Sequence, residues 1–272
     1  MKKTARILTL AGLLLTFQFS SPNIASAQKS SWSFFLGGSY AIGNFGDVDI
    51  KNNDWALISP NSTKGGAGLG FDLGISYLKP LGNGKTSFLW SVDFLYSFVN
   101  TSIRNNVRNS QLEASNVFQK AEFNNPSFMN MPIIAGLHHE ESIGGNLKVY
   151  LEAQVGIAMR WINERSGELR GAPEPFTIGV WDNLTDYSYT DHFYSYPGLA
   201  FRLAVGMVME EHWLVDFGFL YLGKFNLEGY EDYEITTAAA YLTPSVTSNG
   251  SAGFSAGTIN PLMLVLRLGY RL

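Results

Sequence analysis

The sequence predicts an all-β fold: an eight-stranded antiparallel up-and-down transmembrane β-barrel, with a ten-stranded barrel as the alternative. Three observations carry this reading. Large apolar residues alternate with glycine, serine, alanine or single charges over eight separate segments, a period of two that belongs to strands. Only 15% of the 272 residues are charged, against 46% hydrophobic and 14% aromatic, where a soluble domain carries roughly 25% charged residues. The connections between segments alternate short and long, as they do when every strand runs up and the next runs down.

Residues 1–27 are set aside from the fold. Lys2, Lys3 and Arg6 form a positive start, Ile7 to Phe19 an apolar stretch, and Ala25-Ser26-Ala27 a small-residue cleavage site, the layout of a cleaved signal peptide. The apolar stretch is shorter than the ~20 residues of a membrane-spanning helix. Gln28 follows the cleavage site, so no lipid is expected on an N-terminal cysteine. Removing three basic residues leaves 16 Lys and Arg against 23 Asp and Glu in residues 28–272. That acidic balance provides no field for nucleic acid. The absence of cysteine excludes disulfides, thiolate nucleophiles and cysteine metal sites.

The strands are expected at 32–43, 67–78, 87–99, 128–139, 147–162, 198–210, 213–225 and 260–272. Alternation is plainest in the second, where Leu69, Phe71, Leu73, Ile75 and Tyr77 share one face and Gly68, Gly70, Asp72, Gly74 and Ser76 the other. The third sets Phe88, Trp90, Val92, Phe94, Tyr96 and Phe98 against Ser87, Leu89, Ser91, Asp93, Leu95 and Ser97. Pro80-Leu81-Gly82-Asn83-Gly84 turns between them, so 67–98 reads as a hairpin. Short connections are expected near 79–86, 140–146 and 211–212, and four long extracellular loops at 44–66, 100–127, 163–197 and 226–259. The ten-stranded alternative draws an extra hairpin from residues near 176–196.

Which face is outside decides the class. The polar parity is mostly glycine, serine and alanine, too poor in solvated groups to face water, and the apolar parity is too bulky to fill an eight-stranded interior. Turning the barrel inside out resolves both problems, with large residues on lipid and small or paired polar residues inside. Trp32, Tyr77, Trp213 and Tyr270 near the short turns, and Tyr40, Tyr96, Trp161 and Tyr221 near the long loops, suit the two membrane interfaces. Short turns and both termini are then expected on the periplasmic side.

The last strand, Pro261-Leu262-Met263-Leu264-Val265-Leu266-Arg267-Leu268-Gly269-Tyr270-Arg271-Leu272, and the segment Met131-Pro132-Ile133-Ile134 resemble the small Gram-negative outer-membrane β-barrel family, the OmpA/OmpX-like transmembrane domain. The resemblance covers residues 28–272. It implies location in the bacterial outer membrane after export, contact with outer-membrane lipid and lipopolysaccharide, and insertion by the barrel-assembly machinery. Leu268, Tyr270 and Leu272 are the implied insertion signal; family chains commonly end in phenylalanine, whereas here the aromatic residue stands two places earlier. No peptidoglycan-binding domain is expected after Leu272, and the barrel is expected to be a monomer without cofactor or metal.

Function is expected to be structural or surface-interacting. Inside, Asp72, Asp93, Glu152, Gln154 and Asp216 share the inward parity with Arg160, Arg202 and Arg267. Counted from the short-turn ends, Asp72, Asp93, Glu152, Arg202 and Arg267 stand at similar heights, Asp216 lower and Arg160 higher. Opposite charges at one height in so narrow a barrel are expected to pair and close the lumen, because an unpaired buried charge is costly. Outside, Trp181, Tyr187, Tyr189, Tyr194, Tyr196, Tyr230 and Tyr233 stand among acidic loop residues. They offer stacking area and a negative surface to an extracellular ligand; the alternative is that the strands continue above the membrane as hairpins and these aromatics pack on one another.

A narrow, porin-like channel for small solutes is the alternative function, and an outer-rim lipid-modifying enzyme the second alternative. The enzyme reading rests on Asp191, His192 and Ser195, residue types that match an acyl-transfer triad. His138 and His139 precede Glu140 and Glu141 in an expected turn, where neighbouring side chains face opposite ways and do not converge on one metal. His212 is expected to be structural in the Glu210-Glu211-His212 turn.

Overall fold

The computed structural model describes residues 30–46, 66–81, 85–99, 118–123, 127–171, 184–238 and 246–272. The expected signal peptide lies outside them. In chain order the strands are β1 (Ser31–Ile42), β2 (Ala67–Leu81), β3 (Thr86–Val99), β4 (Phe118–Phe123), β5 (Ser127–Gly144), β6 (Leu147–Ile162), β7 (Arg165–Gly171), β8 (Leu184–Phe193), β9 (Gly198–Met209), β10 (Trp213–Tyr221), β11 (Phe225–Ala238), β12 (Val246–Ile259) and β13 (Leu262–Arg271).

Eight of them close into a barrel in the order β1-β13-β10-β9-β6-β5-β3-β2, every neighbour antiparallel. These are the eight strands expected from the alternation. Three ends differ. β2 runs on to Leu81, and β5 continues to Gly144, so the expected turn at 140–146 shrinks to Gly145 and Asn146. There Gly144 (φ 128°) and Gly145 (φ 56°) supply the left-handed backbone that a tight turn needs. β10 stops at Tyr221 because Gly223 (φ 79°) breaks the strand, and Leu222 donates its N–H to the Pro261 carbonyl at 3.0 Å. Pro132 leaves a mark too: the β3–β5 register lapses between Val92/Ile133 and Leu95/Asn130, where a residue without an N–H cannot complete the ladder.

Register fixes the stagger. Following partners from Leu81 to Thr86, His139, Leu151, Val205, Phe217, Leu266 and Gly38 re-enters β2 at Phe71, ten residues from the start. A shear of ten on eight strands tilts them by about 40°, inside the range that closed barrels adopt.

The other five strands form a second sheet in the order β12-β11-β8-β7-β4. Each continues a barrel strand: β12 leads into β13, β11 follows β10, β8 leads into β9, β7 follows β6, and β4 precedes β5. The links are short, three residues between β10 and β11 and two between β6 and β7. Among the described residues, the long connections over this side of the barrel are therefore largely strand. Leu184–Phe193 belongs to this second sheet, so the ten-stranded barrel is not formed. A strand added to the barrel would have to break its closed ladder, whereas pairing with β11 continues an existing one.

Candidate functional site: a filled lumen and a protruding sheet

Side chains of one parity leave the barrel wall, and those of the other fill it. Phe34, Leu36, Leu69, Leu73, Val155, Leu199, Phe217 and Leu266 are exposed on the outside, while Ser33, Ser76, Ser91, Leu95 and Ile134 are buried inside. At the short-turn end Trp32 packs on Tyr77 (4.9 Å) and Trp90 (5.5 Å), and Trp213 on Tyr270 (5.2 Å). Leu268, Tyr270 and Leu272 all lie on the exposed face.

The eight inward polar residues singled out in the sequence are all buried. Asp216 is the centre. Arg267 grips it through Nε and Nη2, with Nη2–Oδ2 at 2.7 Å, and Arg202 reaches it through Nη2 at 2.9 Å. Arg267 Nη1 donates to Asp93 Oδ1 at 2.9 Å, and its guanidinium lies 4.0 Å over the Phe35 ring. Glu152 Oε2 approaches Arg202 at 3.8 Å and Arg267 at 4.0 Å. Gln154 donates to the Ser91 hydroxyl at 3.0 Å. Counting from the strand ends leaves Asp216 below the matched set; the structure makes it the hub. Asp216 is the direct register partner of Arg267 on the next strand, and both arginines are long enough to reach down to it.

Two glycines make the geometry possible. A Cβ on Gly37, which lies between Asp72 and Arg267 in register, would stand 2.8 Å from Arg267 Cγ. A Cβ on Gly74 would collide with Asp93 Oδ1. Asp72 is buried across β1 from Arg267, and its Oδ1 accepts no hydrogen bond.

The cluster extends towards the short-turn end through residues that the sequence reading placed in a solvated turn. His138 is 1% exposed and bridges Glu152 through Nδ1 and Glu140 through Nε2, both at 3.0 Å. Ionised carboxylates only accept, so each contact is completed by a ring N–H of His138. Glu140 also takes Lys148 Nζ and Arg271 Nη1, each at 3.0 Å. Asp72, Asp93, Glu140, Glu152 and Asp216 thus face His138, Lys148, Arg202, Arg267 and Arg271, five acidic side chains with five basic ones. The signal that could have found the extension is parity: His138, Glu140 and Lys148 share the inward face with Glu152. His139 points outward, half exposed, with its Nε2 3.4 Å from Glu141.

Arg160 stands apart near the long-loop end. It hydrogen-bonds the Asn130 side chain at 3.3 Å and the Leu222 carbonyl, and stacks 4.0 Å over Phe225. Around it a cluster that includes Phe45, Leu95, Phe128, Leu220, Leu222 and Met263 fills the lumen. A smaller one, Phe35, Tyr150, Val208 and Leu214, fills the other end. The centre formed by Asp216, Arg202 and Arg267 therefore lies between two apolar clusters, while Glu140 and Lys148 are register partners of Tyr150 and Val208 in the lower one.

The second sheet presents a different surface. Cross-strand rows Glu168-Ser188-Glu234-Asn249 and Ser166-Thr190-Asp232-Ser251 share one face and bound a groove of about 930 Å³. Tyr189 is buried, and Tyr233 lies against Gly250, where a Cβ would strike its ring. At the foot of the sheet Tyr230 stacks on His192 (4.5 Å) with Tyr194 beside it (6.4 Å), and the Tyr196 hydroxyl meets Glu228 at 3.4 Å. Tyr187 occupies β8 opposite Leu169 and Ile235 in register. Trp181 lies outside the described residues. The triad-like residues do not assemble: His192 Nδ1 faces Glu164 at 3.0 Å and Nε2 faces Asp232 at 3.3 Å, leaving neither nitrogen for the Ser195 hydroxyl.

An up-and-down barrel that is apolar outside, with paired charges inside, belongs to the transmembrane class. No protein-family model and no curated protein matches the chain. Among solved structures it is similar to Ail, the attachment invasion locus protein of Yersinia pestis, at 14% identity and TM-score 0.35, covering 89% of this chain and 97% of that one. It is also similar to a major outer membrane protein from Thermus thermophilus at 11% identity and TM-score 0.40, covering 90% and 100%. A third, OprG from Pseudomonas aeruginosa, has 11% identity and TM-score 0.33, covering 89% and 94%.

Proposed function

We propose that this chain is an integral outer-membrane β-barrel with a closed lumen, whose protruding sheet is its working surface. The observation that carries the reading is the inverted wall: apolar residues cover the outside of a closed barrel whose interior is filled by five acidic and five basic side chains together with two apolar clusters. Closure satisfies every strand edge within the barrel, which a hydrocarbon environment demands. The short turns then face the periplasm, and the sheet of β4, β7, β8, β11 and β12 stands outside the cell. There its acidic rows and the Tyr194-Tyr196-Tyr230 group suit a cationic or sugar-bearing ligand. Leu268, Tyr270 and Leu272, all outward, serve the barrel-assembly machinery. The role is binding rather than catalysis, in keeping with the two carboxylates that occupy His192, and the barrel works as a monomer.

Planar-bilayer recording tests the closed lumen. Wild type is expected to show no steady conductance, and Arg267→Ser to open measurable current. A steady wild-type current left unchanged by Arg267→Ser would refute the plug and favour the narrow channel.

A further inference from the structure

The outer wall carries one feature that the surface-binding role does not use. Across β6, β9 and β10, Val149, Leu151, Val205, Met207, Val215 and Phe217 line an apolar groove of about 570 Å³. They form two outward rows, Val149-Met207-Val215 and Leu151-Val205-Phe217, on either side of the Tyr150-Gly206-Asp216 backbone. On β5 the rows end at Glu141 and His139, and on β13 the second row ends at Leu266.

The groove runs uphill. Because the shear is ten, each step around the wall in this direction lifts a row by roughly 3 Å towards the long-loop end. From His139 to Leu266 is four steps, so the groove rises about 12 Å while crossing about 19 Å of wall. One leaflet of a ~30 Å hydrocarbon core is about 15 Å deep. The groove therefore starts at the short-turn interface and ends near the bilayer midplane. Its lower end is polar: Lys85 Nζ lies 2.8 Å from Glu141 Oε2, and His139 stands beside them.

We propose that this groove seats one acyl chain of a phosphatidylethanolamine from the periplasm-facing leaflet, with the headgroup docked on Lys85 and Glu141. The site rests on the outer-membrane reading above. An exposed ion pair matches a zwitterion by exchanging partners, the phosphate taking Lys85 and the primary ammonium donating to Glu141. Phosphatidylcholine has no N–H to donate to the carboxylate, and phosphatidylglycerol has no cation for it. Val149, Val205 and Val215 keep the groove open; a larger side chain at the middle position fills it.

Native mass spectrometry of the full chain released from nanodiscs of equimolar phosphatidylethanolamine, phosphatidylcholine and phosphatidylglycerol tests the site. Each variant is first shown to fold by its heat-modifiable mobility, a readout that reports on the barrel reading independently of lipid retention. Wild type is expected to keep one phosphatidylethanolamine, favoured about tenfold over either competitor, which corresponds to about 1.4 kcal/mol. Val205→Trp, or Met207→Trp should the first not fold, is expected to lose the adduct. Leu199→Trp, outward on the same strand but off the groove, keeps it. Glu141→Gln is expected to retain a lipid but no longer to separate ethanolamine from choline. Folded wild type without an adduct, equal retention of the three lipids, or full retention in both groove-filling variants would overturn the proposal.

Discussion

The barrel wall and the sheet above it are made by the same run of chain, yet they solve opposite problems. β10 passes into β11 with three residues between them, and over that short distance the exposed face changes from Phe217 and Phe219 to Asp232 and Glu234. The buried face changes less: Asp216 is locked by two arginines in the lumen, and Glu231 and Asp191 lie buried in the sheet. Alternation is common to both regions; what differs is the solvent outside. The barrel has no edge, whereas β12, paired to β11, is an end strand among the described residues and carries neither charge nor proline over Val246–Ile259. A closed ladder tolerates hydrocarbon because no backbone group is left over, and an open one needs water or a partner along its rim.

The comparison breaks most visibly at the lumen. Arg267→Ser leaves Asp216 short of its main partner and Asp93 bare, and is expected to cost about 3–5 kcal/mol in urea-titrated folding into bilayers. A loss under about 1 kcal/mol would mean that water enters and solvates the acids. Next comes a paired substitution across the boundary. Leu266→Arg, on the wall, is expected to destabilise by roughly 2–4 kcal/mol if its depth is near the midplane. Glu234→Arg, exposed on the sheet, should stay within about 0.5 kcal/mol. Equal costs at the two sites would show that both regions face the same medium. Gly37→Val pushes on Arg267 from β1 and is expected to cost about 1–3 kcal/mol, as overpacking does. Its folding should be more sensitive than that of Gly253→Val in the sheet, where a Cβ has open room. The smallest effect belongs to Asp232→Asn with Glu234→Gln, expected to leave barrel stability within about 0.5 kcal/mol while weakening retention on a cationic resin. A change in heat-modified mobility for that variant would tie the sheet to barrel closure.

The eight barrel strands were legible because a barrel wall in lipid shows a strict two-residue period with glycine and serine on one parity. Residues 67–98 display that period without interruption. The inward charges were legible for the same reason, since Asp72, Asp93, Arg202 and Arg267 stand out on a parity otherwise small and polar. The second sheet was much less so. Residues 163–197 and 226–259 read either as loops or as strands continued above the membrane, because both faces of β11 mix acidic with aromatic residues and β12 is mostly small and polar, and a strand with water on one side and a polar core on the other shows little contrast. His138 was missed because Glu140 and Glu141 beside it look like a turn, and nothing local announces that β5 runs on to Gly144.

By itself, the sequence determined where the eight alternating strands lie, the wall's parity and the central inward charges, since each depends only on alternation and composition; that no further hairpin joins the barrel was decided by the pairing of β8 with β11. Tertiary structure decided which charges meet. Register across β10 and β13 puts Asp216 beside Arg267, and the stagger of ten carries Asp93 within reach of the same guanidinium from the far side of β1 and β2. Neither relation can be counted along the chain, because it depends on how far each strand has slid past its neighbour before the barrel closed. The same slide decided that five strands outgrow the membrane together on one side, where their edges pair into a single sheet.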